Sequence, residues 1–151
     1  MAGWTNKGKY AALNILFRAA TAPTNFYLAL ITSATAPTAD TNTFAGVTEI
    51  AGGNGYTAGG ASLNRNSTDF DVLTEDDTND RALIQIKDIT WTASGGSIPA
   101  SGSGARYAIL TDDNGTQSSR EVWAFWDLTS DRSVSTGQQL TLQDCELRLT
   151  E

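Results

Sequence analysis

Apolar positions along the chain follow two periods. Near the N-terminus, Tyr10, Leu13 and Phe17, with Leu16 beside them, recur at steps of three and four, which predicts a single helix over residues 6–18. Thr5 or Asn6 can cap its start, Arg18 suits the negative end of the helix dipole, and Pro23 bars any continuation. Beyond residue 24 the pattern changes to short alternating runs separated by Gly, Asn, Asp, Ser and Thr clusters, which predicts strands.

The first strand, over residues 25–32, sets Phe26, Leu28 and Leu30 on one face and Tyr27, Ala29 and Ile31 on the other. Both faces are apolar, so the strand is expected inside a sheet and covered on both sides. A Thr/Ala/Pro segment over 33–47 leads to a short strand near Thr48 to Ile50. A loop over 51–60 follows, in which five of ten residues are glycine, and then a strand over 61–66. So many glycines demand unusual backbone angles or a close approach to another surface. The run over 82–92 switches parity after Ile86 and the run over 139–150 after Leu142, so a bulge is expected in each, near Lys87-Asp88 and near Gln143-Asp144. Residues 106–112 and 121–128 flank a turn-rich stretch containing Asn114-Gly115 and read as a hairpin. Seven or eight strands in 151 residues predict a mainly β single domain, an antiparallel β-sandwich or jelly-roll-like fold over 25–150, with an N-terminal arm and α-helix over 1–18.

Composition narrows the function. Ten basic against 17 acidic residues give a net charge of −7, so a nucleic-acid partner would work against the global field. There is no histidine, which removes the commonest general base and the commonest transition-metal ligand. The one cysteine, Cys145, has no internal partner and reads as a small buried hydrophobe. No basic segment followed by an apolar run opens the chain, and no stretch approaches the ~20 apolar residues of a membrane span. The expectation is a soluble product made in the cytoplasm, with no membrane partner.

Candidate chemistry is sparse. The run from Asp69 to Asp80 gathers Asp69, Asp71, Glu75, Asp76, Asp77 and Asp80, oxygen ligands of the kind calcium takes, but Leu73 stands where an EF-hand loop needs an oxygen. No metal and no cofactor is assigned, and the run is expected as a solvated, turn-forming loop. No serine lies in a GxSxG turn and no glycine pair has phosphate-cradling spacing, so the protein is expected not to be an enzyme. Of the tryptophans, Trp91 and Trp126 read as core. Trp123 shares a strand face with Phe125, opposite Trp126, so aromatic surface there needs a cover or forms a sugar-binding platform. Residues 1–48 hold Lys7, Lys9 and Arg18 against Asp40 alone, while residues 49–151 hold seven cations and sixteen carboxylates. The N-terminal segment is therefore suited to an acidic neighbour.

Several short motifs carry a resemblance: Thr5-Asn6-Lys7-Gly8-Lys9-Tyr10, the strand Ala22-Pro23-Thr24-Asn25-Phe26-Tyr27-Leu28-Ala29-Leu30, Glu49-Ile50 leading to Gly55-Tyr56, Ile89-Thr90-Trp91 and Trp126-Asp127-Leu128. Across nearly the whole chain this pattern resembles small virion structural proteins of tailed bacteriophages, labelled as capsid decoration (cement) proteins or as tail or fibre proteins. The resemblance implies a homotrimer on the outer capsid surface of the virion that stabilises contacts between major capsid protein subunits. The alternative it leaves open is a tail, baseplate or fibre component, including a receptor- or carbohydrate-binding domain. The residues expected to touch the capsid are Trp4, Lys7, Lys9, Tyr10 and Arg18, with Asn54 and Tyr56 of the glycine-rich loop as a second choice. Deleting residues 1–9 is expected to leave a folded domain that no longer attaches.

Overall fold

A computed structural model of the chain describes residues 2–150. In order they form β1 (Ala2–Trp4), α1 (Asn6–Arg18), β2 (Asn25–Ile31), β3 (Ala61–Asn64), β4 (Val72–Asp76), β5 (Arg81–Ile86), β6 (Ile89–Thr92), β7 (Ala105–Thr111), β8 (Val122–Arg132), β9 (Gln139–Leu142) and β10 (Cys145–Thr150). The strands make a five-stranded sheet of order β1-β8-β7-β2-β3, a three-stranded sheet β10-β5-β4 and a pair β6-β9. All of the pairings are antiparallel. The protein is thus mainly β, a sandwich with one N-terminal helix, as the alternation predicts.

The larger core lies between the five-stranded sheet and the two smaller ones. Phe26, Leu28 and Leu30 of β2 meet Ile86, Trp91, Leu140 and Leu147 from the opposing layer. The other face of β2 contributes Ala29 and Ile31 to a second core with Ile109, Val122 and Phe44, the last from a short 3-10 turn over Phe44–Gly46. The two apolar faces of β2 are therefore both used, and the strand lies between β7 and β3.

Sequence and structure part company at five places. The segment Thr48 to Ile50 makes only an isolated bridge, Ile31 to Glu49, and not a strand. The strand after the glycine-rich loop stops at Asn64, two residues early, where Asp69 caps it by accepting from the Asn64 backbone N–H at 2.7 Å. Neither parity switch is a bulge. Ile86 lies opposite Cys145 and Ile89 opposite Leu142, so the same register runs through both gaps, and each strand skips two residues at the same point. One long antiparallel pair is thereby cut into two sheets, with Gln143 reaching across the cut to Asp88 at 3.1 Å. The acidic run, expected as a loop, contains strand β4, which pairs with β5 through a turn at residues 77–80. Finally, the N-terminal arm is part of the sandwich, because Ala2 to Trp4 pair with Trp126 to Ala124 as an edge strand.

A bulge does occur where the sequence pattern did not suggest one. Leu110 faces Ala124 but Thr111 faces Val122, so Trp123 is the extra residue in β8. It turns to the side of Ala124 and Trp126 and packs edge-on against Phe26 with centroids 5.1 Å apart. The bulged backbone is also the seat of the helix. The Trp123 carbonyl accepts the Thr5 N–H at 2.9 Å, and the Thr5 hydroxyl donates to the Val122 carbonyl. The same hydroxyl oxygen accepts the Gly8 N–H at 2.9 Å, capping the helix start.

Candidate functional site

Helix α1 has a small-residue face and a large-residue face, and it buries the small one. Gly8 is buried, and Ala11, Ala12 and Ile15 pack on the main core. A Cβ at Gly8 would lie 2.2 Å from the Trp123 carbonyl oxygen, so glycine is what lets the first turn approach β8 this closely. The price of that approach is paid in orientation. Tyr10, Leu13, Leu16 and Phe17, whose spacing marks out the helix in the sequence, point to solvent with 58%, 58%, 73% and 79% of their surfaces exposed. These four make one stripe about 120° wide at 100° per residue, and Lys9 and Arg18 stand at its two ends along the helix, both exposed. The helix ends at Ala19, whose φ of 56° is left-handed and whose N–H returns to the Asn14 carbonyl.

Other residues expected at a contact are occupied within the chain. Trp4 is half-buried and donates its indole N–H to the Arg148 carbonyl at 3.0 Å. Trp126 does the same to the Glu146 carbonyl at 3.1 Å, so two indoles close the outer edge of β10. Lys7 pairs with Glu121 at 2.8 Å, which raises its pKa, chiefly through that hydrogen bond. Tyr56 is 2% exposed, so its ring cannot serve as a surface contact. Asn54 sits in the two-residue turn between Gly53 and Tyr56, where it and Gly55 both have positive φ, and its side chain donates to the Ser97 carbonyl. Of the seven residues, Lys9, Tyr10 and Arg18 remain on the open surface. Trp91, Trp123 and Trp126 are each 7% exposed or less, so none of these three offers an open ring face for stacking on a sugar.

Buried polar groups hold the loops in place. Tyr56 accepts the Leu30 N–H and donates its hydroxyl to Glu49, whose carboxylate also receives the Gly59 N–H and the Gln117 side-chain amide. Burial, then the Glu49 charge, pushes the Tyr56 pKa far up, so the phenol stays a donor. Asp112 accepts the backbone N–H groups of Asn114 and Glu121 and fixes the β7–β8 connection. Burial raises its pKa. The Cys145 thiol, buried and near Asp144 and Asp88, is pushed up to about 12 and stays protonated. These groups brace backbone, and Glu49 also lines an open hollow with Thr48, Thr116 and Ser118.

The acidic run is spread out along the β4–β5 hairpin. Asp69 is buried, ties the backbone of Asn64 and pairs with Lys87, whose hydrogen bond holds its carboxyl below the usual range. Asp76 is engaged by Asn79 and Arg81, which lower its pKa. Asp71 precedes β4, Glu75 points to the face opposite Asp76, and Asp77 and Asp80 lie in the turn. Among the described residues, no group of three or more His, Cys, Asp or Glu converges as a metal site would require. No helix among them is long and apolar enough to cross a membrane. No protein-family model, curated protein or solved structure matches the chain.

Proposed function

We propose that the protein is a non-enzymatic structural component of a bacteriophage virion, a decoration protein that binds the outside of the head as a trimer and braces neighbouring major capsid protein subunits. The observation that carries this reading is the outward stripe of α1, where Tyr10, Leu13, Leu16 and Phe17 stand in solvent on a helix pinned to the sandwich by its other face. An apolar patch of this kind, rimmed by Lys9 and Arg18, suits a protein partner better than a small substrate. The motif resemblance gives the virion its place in the proposal. In a trimer, weak contacts act together, because the first to form raises the effective concentration of the rest.

The test is co-sedimentation of the purified protein with undecorated phage heads and, separately, with isolated tails. The reading predicts that it pellets with heads and that Leu16→Ser/Phe17→Ser keeps it in the supernatant. Pelleting with tails alone would replace the head assignment by the tail, baseplate or fibre alternative. Binding to neither would remove the virion reading.

A further inference from the structure

The helix stripe has a counterpart on the same chain. In the β10-β5-β4 sheet, Cys145, Leu147 and Ile86 point into the core. By strand alternation Ile84, Ala82, Leu149, Leu73 and Glu75 lie on that same face, further out. Burial fades along it. Ile86 is 1% exposed and Leu147 4%, Ile84 is half-buried, and Leu149 and Leu73 are 62% and 77% exposed. The sheet therefore runs out of the core and leaves an open groove lined by Leu73, Ala82 and Leu149, with Glu75, Asp77 and Asp80 around it. Among the described residues, Leu73 and Leu149 are the two other large hydrophobic side chains standing exposed besides the four of the helix stripe.

The two patches are opposite in charge and alike in size. Residues 6–18 carry three cations and no carboxylate. The groove is lined by Glu75, Asp76, Asp77 and Asp80 against Arg81 alone, which pairs with Asp76, so its excess charge is negative. No ion pair among the described residues engages Lys9, Arg18, Glu75, Asp77 or Asp80. From Tyr10 to Phe17 the stripe is about 10 Å long, seven steps at 1.5 Å. Three strands are about 10 Å across. Because both patches are open to solvent within one chain, they can be covered together only between chains. A contact of like with like would set carboxylates against carboxylates at the groove and cations against cations at the helix, and both repel.

We infer that α1 of one copy docks across the β4-β5-β10 face of the next, its apolar stripe on Leu73, Ala82 and Leu149 and its Lys9 and Arg18 toward the acidic rim. Repeated head-to-tail, the contact generates a closed ring when the rotation between copies closes. This deepens the reading above by naming the partner of the helix face, and it rests on that reading's premise that the face is an assembly surface.

Two double variants test it, Leu16→Ser/Phe17→Ser on the helix and Leu73→Ser/Leu149→Ser on the groove, each confirmed as folded by circular dichroism. By light scattering each alone should run at one chain mass. An equimolar mixture should form a complex of two chain masses and nothing larger, because one intact helix then meets one intact groove. A mixture that stays at one chain mass, or variants as associated as the unmodified chain, would overturn the contact. As a second reading, Lys9→Glu should weaken the unmodified protein's self-association at least tenfold at low salt and by less at high salt, and an unchanged association constant would count against the pairing. An unmodified protein that does not self-associate but still pellets with heads loses this contact and leaves the virion reading intact. The contact formed in a protein that ignores heads leaves only the virion reading to be abandoned.

Discussion

At the scale of single residues, two positions hold the sandwich to its appendages. Gly8 would ordinarily favour replacement by alanine, since glycine inside a helix costs about 1 kcal/mol relative to alanine. Here the Cβ would meet the Trp123 carbonyl oxygen at 2.2 Å, so Gly8→Ala must push the helix off β8. We expect a net destabilisation of about 1–3 kcal/mol, the usual cost of overpacking, read as a lower urea midpoint, and a raised midpoint would contradict this packing. Asp69 offers a test with a definite pH sign. Lys87 and Asn64 hold its folded pKa below the ordinary carboxylate value. The stability it contributes is therefore complete above that ordinary value and is lost as the pH falls through the folded pKa. Lys87 is 39% exposed, so water screens the pair. Asp69→Asn should cost about 1 kcal/mol at neutral pH. The gap between variant and unmodified protein should then close in acid. A gap that stays constant from neutral pH to well below the carboxylate range would assign the effect to something other than the charge.

Elements show where sequence periodicity is informative and where it misleads. The bounds of α1 were legible because a capping threonine, a three- and four-residue pattern and a terminal arginine agree. Its orientation was not, since the pattern of large apolar residues points one way and the small residues Gly8, Ala11 and Ala12 point the other. Close approach of backbones decided between them. The glycine and two alanines at that spacing were the available signal. In β4, Leu73 stands among acidic residues, and its alternation with Glu75 is too short to overcome the turn-like composition around it. Likewise, a parity switch in one strand suggests a bulge, but the matching switches after Ile86 and Leu142 fall opposite one another and mark a change of sheet. Because Leu16 and Phe17 are largely exposed in the single chain, changing both to serine should shift the unfolding free energy by no more than about 0.5 kcal/mol per site at concentrations where the unmodified protein is dissociated. Ile15→Ala, on the packed face of the same helix, should cost more, about 1–2 kcal/mol. If the outer pair proves as costly as Ile15, the stripe is part of the fold and not a surface.

For the whole molecule, the β class, the two-sided β2 strand and the β7–β8 hairpin could be read from alternation alone, because burial on a pleated sheet writes itself into every second residue. The contact residues expected from the sequence could not be sorted in the same way. Trp4, Lys7 and Tyr56 have the residue types of a contact, yet Trp4 closes a sheet edge, Lys7 serves Glu121 and Tyr56 braces a loop. What remains is a sandwich that presents an apolar basic helix and an apolar acidic groove, and the central claim is that these are assembly surfaces. The most direct test is the mass of the unmodified protein in solution by light scattering, beside that of Leu16→Ser/Phe17→Ser. The account predicts three chain masses for the first and one for the second. A single chain mass for the unmodified protein at high concentration, or a trimer that the substitutions leave untouched, would contradict it.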